Sequence, residues 1–235
     1  TGVRLPDTGE KFPGMLSDIR VGATYKTELD NGMTGGAIFE FGSPSDKPFA
    51  SGDEILVNAS GYLRIPRDEQ SAWLVLVNFS NNRDFLANVP IPGFAYAYRP
   101  DQKLTLVGGI PFSMVRWRPA DRWTVEGSFF IPRTAFAKLS YQLTDPLQLY
   151  AAFDWTNQRY FRHERRDDDD RLFYFQKRAL AGARWQIDPD CFLDLSGGWA
   201  FDRFWFEGED YGDRGDNRID ISDGPVMQMR FVLKF

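Results

Sequence analysis

The sequence predicts an all-β chain, a transmembrane antiparallel up-and-down β-barrel of about 12 strands within a range of roughly 10–14. Three observations carry this. Apolar and polar residues alternate over many short runs, aromatic residues close the apolar side of those runs, and tight turns alternate with long charged connections. A period of two places successive side chains on opposite faces of a strand. Helix signals are weak, and Pro-Asp punctuation recurs at 99–103 (RPDQK), 118–122 (RPADR), 143–147 (LTDPL) and 187–191 (IDPDC). Strands at regular spacing without intervening helices mean a sandwich or a barrel.

Composition narrows the choice. The chain has 235 residues, 16 % aromatic and 26 % charged, with a mean hydropathy of −0.41. No apolar run reaches the length of about eighteen residues that a membrane helix needs. A barrel escapes that test, because only alternate residues of each strand need be apolar. The net charge of −5 and the lack of a basic stripe argue against a nucleic-acid partner. A single cysteine, Cys191, excludes an internal disulfide and a cysteine-based metal cluster. No basic-then-apolar leader opens the sequence, so an exported protein would have lost its signal peptide already.

In chain order, residues 1–17 read as a periplasmic lead-in and 18–235 as the barrel. Candidate strands lie at 18–28, 35–43, 54–65, 71–80 and 92–99, and 103–118 reads as one irregular strand around VGGIPF (107–112). In 122–130, Trp123, Val125, Gly127 and Phe129 oppose Thr124, Glu126 and Ser128. In 135–143, Ala135, Ala137, Leu139, Tyr141 and Leu143 oppose Phe136, Lys138, Ser140 and Gln142. The runs 147–156, 178–187 and 192–202 continue the pattern, ending on Trp155, Trp185 and Trp199 on the apolar side. The final segment puts Met227, Met229, Phe231, Leu233 and Phe235 on one face. Aromatic ends on an apolar face suit a wall that touches lipid around a polar interior, whereas a soluble sandwich would turn the same face inward.

The connections at 143–147 and 187–191 are tight, and those at 157–171 and 206–224 are long and charged. With the C-terminus periplasmic, the two long ones are extracellular, as in bacterial outer-membrane barrels of Gram-negative type. The inward positions then form a lumen charge network of Arg116, Glu126, Lys138, Asp154, Arg178, Arg184, Asp194, Asp202, Arg230 and Lys234. Opposite charges on neighbouring strands either close the interior or line a narrow, porin-like aqueous path.

The terminal VMQMRFVLKF resembles the last strand read by the barrel-assembly machinery, which makes Phe231, Leu233 and Phe235 an assembly signal. GSPSDKPF, FLANVPIPGFAYAYRPDQKLTLVGGIPF, FIPRTAFAKLSYQLTDPLQLYAAFDW and LSGGWAFDRFWFEGEDY resemble an uncharacterised family of bacterial outer-membrane β-barrel proteins. That resemblance implies fold and outer-membrane location, and no activity.

Chemistry is sparse. His163, the one histidine, sits in FRHERRDDDD, and a histidine base needs a nucleophile and an orienting partner within reach. Asp167 to Asp170 stand close to it in sequence, the arrangement an outer-membrane protease would use, while Ser140 and Ser196 fall on the inner face. The chain therefore reads as a non-enzyme, with a hydrolase as third choice. Asp167, Asp168, Asp169, Asp170, Asp213 and Asp216 are candidate ligands for a structural Ca or Mg ion, although they lack the spacing of an EF-hand loop. No other cofactor is implied. The expected function is a small passive pore or structural barrel with a charged, partly filled lumen. The alternative is a non-conducting binding or assembly component. Expected partners are outer-membrane lipid, the assembly machinery during biogenesis, and a protein docked through the loops or outer wall.

Overall fold

The structure, a computed structural model, describes residues 3–6, 9–83, 85–131 and 134–233, with only the backbone of residue 216. One antiparallel sheet of 14 strands runs through it. Its strands are β1 (Ser17–Glu28), β2 (Thr34–Ser45), β3 (Leu56–Pro66), β4 (Ser71–Ser80), β5 (Ile91–Tyr98), β6 (Leu104–Ile110) and β7 (Phe112–Ala120). Then follow β8 (Trp123–Phe130), β9 (Thr134–Thr144), β10 (Leu147–Tyr160), β11 (Arg171–Asp188), β12 (Cys191–Gly208), β13 (Ile219–Ile221) and β14 (Gly224–Leu233). Each strand from β1 to β12 pairs with the next, and β13 and β14 both lie along β12. No described helix is long and apolar enough to cross a membrane.

The count departs from twelve at two places. Residues 103–118 form two strands, because the chain reverses at Pro111, which has no N–H to give to a ladder, and Val107 pairs back with Met114. The three-residue β13 adds a short piece inside the 206–224 connection. Strands β10, β11 and β12 also run past their expected ends, so the 157–171 connection shrinks to residues 161–170.

The sheet curls until its far parts meet. The Phe161 N–H donates to the Pro44 carbonyl at 2.7 Å, so the end of β10 touches the end of β2. Asn82, just after β4, donates through Nδ2 to the Arg159 carbonyl of β10. Curling leaves two edges: among the described residues β1 and β14 share no ladder with each other.

The register identifies the faces. Val75 faces Phe94, Val125 faces Leu139, Leu139 faces Ala151 and Ala183 faces Leu195, so the apolar positions of neighbouring strands form one continuous side. Large side chains on it stand exposed on nearly every strand, among them Val21, Phe39, Val75, Phe94, Trp117 and Leu149. The opposite, concave side carries the charges.

Residues 1–17 were expected at the short-turn end. Two of the described ones lie at the other: Glu10 pairs with Arg162, and Phe12 meets the Trp205 ring edge-on at 5.3 Å. Strand β1 therefore starts at the long-connection end, where Ser17 pairs with Ser45, and runs toward the short turns, as does β14.

Candidate functional site

The concave side holds most of the expected charge network. Arg178 grips Asp154 with Nε at 2.7 Å and Nη2 at 3.0 Å. Arg184 holds Asp194 at 2.8 Å, Tyr150 donates its hydroxyl to the same carboxylate, and Arg230 stands 3.7 Å away. Arg116 faces Glu126 at 3.4 Å, and Lys138 lies 4.0 Å over the Tyr150 ring. The ion pairs each join neighbouring strands and the Tyr150 hydroxyl reaches across β11 from β10 to β12, so the network ties the register together. Gly182 makes room for it: a Cβ there would sit 2.6 Å from the Tyr150 ring.

Asp202 does not join them. The ladder between β11 and β12 slips between Phe175 and Lys177, and Asp202 takes a left-handed φ of 50°. That bulge sends its carboxylate to Lys177, which lies over the outward Trp155 ring at 5.2 Å. The pair thus sits on the apolar side. Lys234 and Phe235 lie outside the described residues. Phe231 and Leu233 point to the exposed face of β14, opposite Leu193 and Cys191.

At the long-connection end the loops form a packed cap, where the sequence shows only long, charged connections. Arg162 is buried between two acids, with Nε 2.6 Å from Glu207 Oε1 and Nη1 2.5 Å from Glu10. Burial alone would lower its pKa, but Glu207 and Glu10 raise it. Phe161 lies between the guanidinium groups of Arg165 and Arg171, 5.4 and 4.5 Å from its ring. Arg171 donates to the Asp168, Asp170 and Asn81 carbonyls, and burial chiefly brings its pKa down to about 10. Above the bulge, Phe173, Phe175, Phe204 and Phe206 make the one cluster of buried apolar side chains among the described residues, with Tyr211 edge-on against it.

The candidate base belongs to this cap. His163 Nδ1 donates to Glu54 at 2.8 Å, and its backbone N–H donates to Asp46. Burial works against the Glu54 carboxylate, but hydrogen bonds from His163 and Ser51 outweigh it and hold its pKa below the usual value. Ser140 and Ser196 share a row with Tyr150, at the other end of β10 from His163. At about 3.3 Å per residue those ends are some 30 Å apart, so no Ser–His pair forms from them.

Among the described residues no three His, Cys, Asp or Glu side chains gather as a metal site. Asp167 accepts the Asp169 N–H, and Asp213 accepts the N–H groups of Glu209 and Asp210. The side chain of Asp216 lies outside the described set. Asp170 differs: burial, and then Glu207, Asp167, Glu209 and Asp213, raise its pKa to about 6.

A cavity of about 1270 Å³ occupies the concave side of the N-terminal half, a feature sequence reasoning missed. One part of its lining is polar and linked in series. Arg83 donates to Asn78 at 2.9 Å, Asn78 to Asn58 at 2.9 Å and Asn58 to Glu40 at 2.7 Å. The other part is apolar, with Leu74, Leu76, Pro111, Phe112 and Phe130. Gly93 permits this floor, since a Cβ there would lie 2.6 Å from Leu76 and 2.8 Å from Pro111. The signal in the sequence was Asn58 and Asn78, amides at inward positions of otherwise apolar strands.

No family model, curated protein or solved structure matches the chain.

Proposed function

We propose that the chain is a bilayer-spanning barrel of the bacterial outer membrane, a structural barrel whose capped and ion-paired lumen leaves only a narrow path. One observation carries this. On a single face of β11, Phe173 and Phe175 are 0 % and 1 % exposed beneath the 209–218 segment, while Trp185 and Ile187 are 53 % and 51 % exposed. The fold covers its apolar surface at the cap and leaves the same surface bare along the wall. An apolar belt of that size is costly in water and neutral in hydrocarbon. The Lys177–Asp202 pair falls where covering stops, as expected for a water boundary. The resemblance of the last strand and of longer stretches to outer-membrane barrels supports the same reading.

Tryptophan quenching by brominated phosphatidylcholine tests it. Trp117, Trp123, Trp185 and Trp199 face outward and exposed, so most of the emission should be quenched in vesicles. Emission that brominated lipid leaves unchanged, from a chain monodisperse in plain buffer, would overturn the proposal. In planar bilayers the capped lumen should give at most a small conductance, whose ion selectivity changes on Asp154→Lys.

The open edges favour a second reading, a barrel completed by a partner. Unpaired backbone groups are not tolerated in hydrocarbon. Strands β1 and β14 run the same way, so one strand running oppositely between them would pair antiparallel with both. Met227 on β14 is 91 % exposed. Disulfide trapping between Tyr25→Cys and Met227→Cys would show direct closure and exclude an inserted strand.

A further inference from the structure

The apolar part of the cavity opens beside the lowest stretch of wall. Strand β6 has seven residues and β8 eight, against eighteen in β11 and β12. A strand needs about 9–11 residues to span a bilayer, so the rim at β6–β8 stops short of its neighbours. That rim is greasy: Ile110, Phe129 and Ile131 are exposed, and Phe130 faces the cavity at 40 % exposure, as does Ile38 across from it. Under the cap, two residues of the lining carry polar atoms that are enclosed and unused. Asn82 is only 6 % exposed, and with its Nδ2 given to Arg159, its Oδ1 has no partner among the described residues. Thr156 Oγ1 is in the same state. Buried polar atoms are nearly always satisfied, so each exception asks for an explanation. The charges nearby are already engaged: Arg20 with Asp18 at 2.6 Å, and Glu40 and Arg83 at the two ends of the amide series.

From this combination we infer that the cavity is a binding site for a single-chain, uncharged amphiphile drawn from the membrane. An alkyl chain lies on Leu76, Phe112 and Phe130 and runs out over the β6–β8 rim. Once the enclosed Asn82 and Thr156 side chains turn toward the cavity, a hydroxyl or amide head donates to Asn82 Oδ1 and exchanges a hydrogen bond with Thr156. Ionised heads are disfavoured, because the lining offers them no uncommitted counter-charge. The cavity exceeds the volume of about 300–1,000 Å³ common for small-molecule sites, which suits a long chain.

The inference rests on the membrane reading, and the experiment separates the two. The full chain is reconstituted in phosphatidylcholine vesicles with hexadecan-1-ol carrying a mid-chain diazirine, photolysed, and the labelled residues are mapped by mass spectrometry. Labels are expected on inward Leu76, Phe112 and Phe130 as well as on outward Val75, Phe94 and Leu149. Ile38→Trp, which narrows the cavity beside Phe130, should lower the inward labels and spare the outward ones. Asn82→Ala should lower inward labelling about fivefold, the equivalent of one net hydrogen bond. Outward labels alone would overturn the inference and leave the barrel standing. An absence of both sets would overturn the membrane reading and the inference with it. Competition by unlabelled hexadecane as strong as by hexadecan-1-ol would overturn the role given to Asn82 and Thr156.

Discussion

The cap and the wall are built from the same strands by opposite rules. In the cap, β11 and β12 cover their aromatic side chains with loop residues, and even an arginine is buried between two glutamates. In the wall the same strands present leucine, alanine and tryptophan with nothing over them, and bury charge on the inner side instead. Burial in water is a search for cover, and the cap follows it. The wall leaves its apolar face without cover, which fits the apolar surroundings proposed above. Stability in the two regions therefore comes from different sources and should fail to different insults.

Arg162→Ala sharpens the comparison most. It leaves Glu207 buried without a partner, and breaking such a pair costs about 3–5 kcal/mol. Amide hydrogen exchange should rise across residues 161–175 and stay unchanged in β2 to β4. Uniform loosening would mean that cap and wall fold as one unit. Phe206→Ala comes next, with a loss of about 3–4 kcal/mol from the cavity it opens in the phenylalanine cluster. Chemical denaturation of the chain in detergent should show that loss, and Trp185→Ala on the same face should show far less.

Ala181→Arg tests the wall. Ala181 is exposed and faces Ala151 and Gly197 at mid-height. In water such a change is worth within about 0.5 kcal/mol, but on a lipid face at the midplane it costs about 2–4 kcal/mol. Refolding equilibria into vesicles distinguish these, and a neutral result would break the contrast between the two regions. The smallest effect is expected from pH. Asp170 has its folded pKa raised to about 6, so its contribution to cap stability is full below the ordinary carboxylate range and is lost as pH rises through 6. Glu54, held low by His163 and Ser51, contributes in the opposite sense and is lost on acidification. Proteolysis of the cap between pH 4 and 7 should become less pH-dependent in Asp170→Asn.

Period-two alternation made most of the wall legible, because a slip of one residue would exchange its two faces. The pairs Arg178–Asp154 and Arg184–Asp194 could be anticipated for the same reason: inward positions on neighbouring strands meet. Three things were not legible. The reversal at Pro111 looked like an irregularity within one strand, since a turn of so few residues leaves no polar punctuation. The cap was hidden because FRHERRDDDDR carries the composition of a solvated loop, and only the tertiary contacts of Arg162 and Arg171 with distant acids and carbonyls bury it. The cavity was hidden because its lining comes from eight strands, and no local pattern records which inward residues face one another across a lumen.

The bulge at Asp202 has a consequence for the way this chain can vary. Below it, β12 sends odd-numbered residues outward, and above it even-numbered ones, so Leu195, Trp199, Phe204 and Phe206 share a side only because one extra residue intervenes. The strand behaves like a message read in two frames with a single shift between them. Substitutions on either side can accumulate independently, and deleting the extra residue would leave both faces as they are, but drawing it into regular pairing would turn the cap's phenylalanines inward and Trp205 outward in a single step.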